Sequence, residues 1–260
     1  MERSTFLLIL DGEATVAAPS PNINLTVHNY GEQVSTDDIR LLLRFAQLRT
    51  ASAEPALKCE LRQSIVASLA ITDPALALQL TRQPFATLLQ PEEFLAGYAS
   101  GLSWQVGPTP LPLPEPPPVR CQELWATGGW ASNASRPCVH SALLALHGRK
   151  DLLASRIWEG QLTVLLPFLE RKRQVLLHRY KADLLRLLPY NKLVGKRSVE
   201  VQEIAELELG DLYFLRTQPE LQRHGAQLNQ DLRLLRHCRV KLSHQQPVDE
   251  TTIDELTTLS

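Results

Sequence analysis

DLRLLRHCRVKLSH, from Asp231 to His244, combines leucines at helical spacing with a basic finish. Leu232, Leu235 and Val240 extend a stripe begun by Leu221 and Leu228, which predicts a helix with one buried face. Thr217-Gln218-Pro219-Glu220 has the form of a capping box and opens that helix; Pro247 stops it. Its end is crowded with charge, and Arg239 and His244 stand five positions apart.

Upstream the same periodicity continues. Asp151 can cap a long helix running towards Leu188, with Leu153, Ile157, Leu162, Leu165, Phe168, Leu169, Leu176 and Leu184 as apolar positions and Pro167 as a kink or break. Pro189, Asn191 and Gly195 form a turn. Val199 to Leu215 reads as a second helix, burying Val201, Ile204, Leu207 and Leu209 with glutamates outside. Asp249 opens a short last helix. Short loops between such helices imply antiparallel neighbours, hence a four-helix bundle.

The N-terminal half is less regular. Residues 4–30 alternate apolar and polar side chains (Ile23, Leu25, Val27) and predict a small β element. From Ser35-Thr36-Asp37-Asp38 the period becomes helical, and Asp73-Pro74, Gln83-Pro84 and Gln90-Pro91 mark further helix starts. GPTPLPLPEPPP at 107–118 favours polyproline II and reads as a semi-rigid linker. The expectation is a mostly α protein in three parts: 1–107 with the β element and short helices, linker 108–118, and the helical bundle 119–260.

Arginine and lysine number 27 against 28 acids, a net charge of -1, so any nucleic-acid contact has to be local. The four cysteines lack CxxC pairing, which suits reduced thiols in a cytoplasmic protein. The apolar run Phe6–Leu10 is too short for a signal peptide or a membrane span. Gly195-Lys196-Arg197-Ser198 lacks phosphate-loop spacing, and Cys138, His140 and His147 have no second pair to complete a metal set. No metal or cofactor is expected.

Arg239 and His244 are the remaining candidates for chemistry. Histidine titrates in the range useful for proton transfer, and an arginine fork matches phosphate oxygens. A second Arg-x4-His pair, Arg173 and His178, lies mid-helix and reads as a solvated face.

Four runs carry a resemblance: Arg156-Ile157-Trp158-Glu159, Leu165 to Glu170 (LLPFLE), Glu208 to Tyr213 (ELGDLY), and Leu235 to His244 (LRHCRVKLSH). Together, over residues 139–260, they resemble a bacterial HEPN domain, the last run resembling its RN…LAH signature in partly degenerate form. The resemblance implies a dimerising helical bundle of a defence, antiphage or toxin–antitoxin system. It implies either a non-catalytic interaction module, alone as a homodimer or within a larger complex, or a metal-independent endoribonuclease. In the latter Arg239 and His244 would be catalytic, and Arg233, Arg236 and Lys241 would bind RNA. Val240 stands where the family has a polar residue after the arginine, which favours the module.

Overall fold

The computed structural model describes residues 34–47, 54–102, 104, 129–133, 136–194 and 197–259. The expected N-terminal strands, the proline-rich segment 107–118 and Trp125 lie outside them. Among the described residues there are twelve α-helices and two small antiparallel hairpins, so the protein is mostly helical. They group into two compact units, Met1–Ser52 with Val66–Arg156 and Ala53–Ile65 with Ile157–Ser260.

The first unit begins with α1 (Thr36–Gln47). Ser35 caps it: its Oγ accepts the Asp38 N–H at 3.2 Å and its own N–H donates to Asp38 Oδ2 at 2.8 Å. Ile39 and Leu43 are buried, whereas Phe45 stays 61% exposed. Helix α2 (Ala56–Ala70) contributes its last five residues, Val66–Ala70, followed by α3 (Pro74–Leu80), α4 (Phe85–Leu89) and α5 (Glu92–Gly101). Hairpin β1 (Trp130–Asn133)–β2 (Arg136–Val139) then leads to α6 (Ser141–Leu146) and the start of α7 (Lys150–Arg179).

Asp73 is the polar hub of this unit. Its Oδ1 accepts the N–H groups of Ala75 and Leu76 and caps α3; its Oδ2 accepts Tyr98 Oη–H at 2.7 Å. His140 Nδ1 accepts the Ala142 N–H and caps α6, so its Nε2 carries the proton and donates to Asp73 Oδ2 at 3.1 Å. Burial pushes the Asp73 carboxyl up, but the bonds donated by His140, Tyr98 and Leu76 outweigh it and hold it below the ordinary carboxylate range.

The units do not divide the chain at the proline-rich segment. Helix α6 packs on α5, Ser141 Oγ donates to Leu69 O, and Arg156 donates to Val139 O and Ser141 Oγ. These bonds draw residues 139–156 into the first unit.

The second unit contains Ala53–Ile65, most of α7, α8 (Lys181–Arg186), hairpin β3 (Tyr190–Val194)–β4 (Arg197–Val201), a 3-10 turn at Ile204–Glu206, α9 (Leu209–Leu215), α10 (Pro219–Gln222), α11 (Gly225–Ser243) and α12 (Glu250–Thr257). Helix α7 runs through Pro167 without a break and ends at Arg179, short of the expected Leu188. Its buried positions Ile157, Leu165, Leu169 and Leu176 repeat at helical spacing. Gly160 lets the Ser64–Ile65 backbone approach closely: a Cβ there would lie 2.8 Å from Ile65 Cα.

The expected helix Val199–Leu215 is instead a strand, a 3-10 turn and the short α9. β-branched Val199 and Val201 favour a strand; at i and i+2 they share one face of β4, and of the two only Val201 is buried. Lys192 of β3 also reaches Asp211 in the first turn of α9 at 2.8 Å, tying the hairpin to that helix. The bundle therefore has two long helices, α7 and α11, completed by shorter pieces.

Candidate functional site

Helix α11 presents the candidate pair. Leu228, Leu232, Leu235, Cys238 and Leu242 form its buried stripe. Val240, expected on that stripe, is 39% exposed, because it lies off the line joining Leu235 to Leu242. Burial pushes the Cys238 thiol up to about 12, so it is an inert packing group.

The end of the helix is held from α7. Trp158 Nε1 donates to Leu242 O at 2.8 Å, a carbonyl of the last turn that also accepts the Gln245 N–H at 3.2 Å. Buried Gln161 accepts the Val248 N–H at 2.6 Å and donates to Val248 O at 2.7 Å, acting as a strand partner for the segment beyond. His244 is the exposed C-cap residue, its N–H bonded to Val240 O and Lys241 O at 3.1 Å.

Arg239 lines a groove of about 430 Å³. The other walls come from α7 (Leu166, Leu169, Glu170, Arg173), the 3-10 turn (Ala205, Glu206) and the start of α9 (Glu208, Leu209, Gly210). His244 is not among the lining residues. Five helical positions put the two side chains about 140° apart around the axis and about 7.5 Å apart along it. His244 thus stands outside the groove that Arg239 lines.

The groove is not a phosphate site by charge. Glu170, Glu206 and Glu208 outnumber Arg173 and Arg239. Arg173 and Gln174 hydrogen-bond Glu170 and, with the charge of Arg239, hold its carboxyl down at about 2. Arg173, expected on a solvated face, spans Glu170 and the carbonyls of Ala205 and Leu207 at 3.1 and 2.8 Å. Arg239 has no ion pair among the described residues. Three of the four HEPN-resembling runs meet here: Leu166, Leu169 and Glu170 from one, Glu208 to Gly210 from another, and Arg239.

The three expected RNA contacts are divided. Lys241 Nζ is bound to Asp249 Oδ2 at 2.6 Å, and Asp249 in turn caps α12 through Thr252 N–H. Lys241 first, then Thr252, holds the Asp249 carboxyl well below the ordinary range. Arg236 lies over the Tyr213 ring, its guanidinium carbon 4.7 Å from the centroid. Arg233 is exposed.

Helical periodicity does not reveal the acid–base cluster at the α10–α11 junction. Gly225, at a φ of +89°, breaks the helix expected to run on from Thr217 and turns His224 towards α8. His224 Nε2 donates to buried Asp183 Oδ2 at 2.7 Å, Arg223 donates to Oδ1, and the Tyr180 ring lies 4.6 Å from the imidazole. These bonds, Arg223 first, hold the Asp183 carboxyl at about 2. The adjoining cavity, about 10 Å³ and lined by Leu176, Leu184, Leu212 and other apolar groups, has no room for a substrate. The cluster therefore latches α8 to the α10–α11 corner.

Among the described residues no three His, Cys, Asp or Glu side chains gather to hold a metal, and no helix is long and apolar enough to cross a membrane. Comparison with protein-family models, with curated proteins and with solved structures finds no match.

Proposed function

We propose that the chain is a HEPN-like, non-catalytic helical interaction module of a bacterial defence or conflict system, acting in the cytoplasm. In this reading it works as a homodimer and can serve within a larger complex, and RNA is not its substrate. The family assignment rests on the four sequence runs alone.

One observation carries the proposal: Arg239 opens into a groove with acidic neighbours and no histidine in its lining. Self-cleavage of RNA needs a proton donor for the leaving oxygen. Glu170, ionised down to about pH 2, does not supply one. What the groove does offer is both signs of charge beside Leu166, which is 40% exposed. A two-fold contact suits such a surface, since Arg239 of each copy meets glutamates of the other.

Charge reversal at Arg239 tests this by light scattering. Arg239→Glu is expected to convert the dimer to monomer, whereas His244→Ala leaves it intact. A monomeric wild type, or a dimer indifferent to Arg239→Glu, contradicts it.

A further inference from the structure

A second surface lies beside the groove and shares no residue with its lining. Tyr213, on α9, has two guanidiniums close to its ring: Arg216 at 3.5 Å and Arg236 at 4.7 Å from the centroid. The two cations are therefore no more than about 8 Å apart. Neither is in an ion pair among the described residues. Arg216 is oriented by Asn229 Oδ1 at 2.9 Å and by the Tyr213 carbonyl, so it is held in place by neutral acceptors.

Helix α11 extends the patch. Asn229, Arg233, Arg236 and Val240 follow one another at i, i+4, i+7 and i+11, one stripe of a helix. Asn229 touches Arg216 and Arg236 lies over Tyr213, which places exposed Arg233 between them. Phe214 stands beside Tyr213, rings edge-on at 6.0 Å, and is 59% exposed; Val240 is 39% exposed.

We infer that this face, built from Tyr213, Phe214, Arg216, Arg233 and Arg236, docks an acidic segment of a protein partner. Three cations without carboxylate partners, two of them crowded on one ring, are relieved by an incoming carboxylate. Guanidiniums already stacked on a ring lose little freedom when they bind one. The exposed Phe214 and Val240 ask for apolar side chains between the acids. RNA fits less well, because a longer polyanion meets the glutamates of the neighbouring groove, and Lys241, the lysine of α11, is bound to Asp249.

The test uses the full chain and a fluorescein-labelled peptide of glutamates interspersed with leucine, followed by anisotropy. Binding is expected, to weaken with salt, and to fall about tenfold in Arg236→Gln and in Arg233→Gln, the effect of one charge-assisted contact. Arg236→Lys keeps the charge without the planar stack and should recover part of it. Circular dichroism establishes that the variants are folded. A peptide with glutamine for glutamate should not bind.

Absence of binding, or binding unchanged in Arg236→Gln, overturns the inference. Single-stranded RNA bound more tightly than the peptide and released by Arg236→Gln overturns it in favour of nucleic acid. None of these readouts depends on the oligomeric state, so failure here is separate from failure of the proposed dimer.

Discussion

Single residues at the end of α11 show how side-chain direction governs what a motif can do. Arg239 enters a groove, Val240 and His244 face solvent, and Lys241 turns to Asp249. Exposed residues without a buried partner contribute little to stability. His244→Ala and Val240→Asn should each change the unfolding free energy in urea by less than about 0.5 kcal/mol. A loss above about 2 kcal/mol in either would mean that this end is packed. Asp183 behaves differently. Its folded pKa, about 2, lies below the unfolded value of about 3.9, so its contribution is complete above pH 4 and lost as the pH falls through 2. Asp183→Asn should lower the urea midpoint at pH 7 and narrow its gap from wild type towards pH 2. An equal gap at both pH values would show that the carboxylate's charge is not what holds the corner.

At the scale of elements, helix starts were readable because they are local. Ser35 with Asp38 and Asp73 with Pro74 announce α1 and α3 through side chains bonding their own backbone. Val199–Leu215 was not readable, since glutamates at 200, 203 and 206 mimic a solvated helix face while the hairpin is held by the distant pair Lys192–Asp211. The long first helix of the bundle was legible from its stripe, but its stop at Arg179 was not. Of the groove, Arg239 is singled out by its motif; Arg173 is placed by the carbonyls of Ala205 and Leu207, in and just after the 3-10 turn, which no spacing announces. Gln161 matters at this scale because it bonds both polar groups of Val248 within the core. Gln161→Leu should cost roughly 2–4 kcal/mol by urea denaturation, leaving a buried N–H and C=O unpaired. A change within about 0.5 kcal/mol would mean that the segment after α11 is held by other contacts.

At the scale of the whole chain, the C-terminal helices depend on residues far upstream. Lys58 binds Glu250 and Asp254 of α12 at 2.9 and 2.8 Å, and the backbone at Ile65 seats Gly160. A fragment of residues 119–260 lacks all of this. It should unfold without a cooperative transition, although the proline-rich segment before it reads as a linker; a sharp transition matching the intact chain's would show that residues 53–65 are dispensable. The proposed interaction module requires that Arg239 and His244 do not make a catalytic pair. The most direct measurement is RNA cleavage in the presence of EDTA by purified wild type and His244→Ala, side by side. No cleavage above the protein-free control is expected from either. Cleavage by wild type that disappears in His244→Ala would contradict the proposed module.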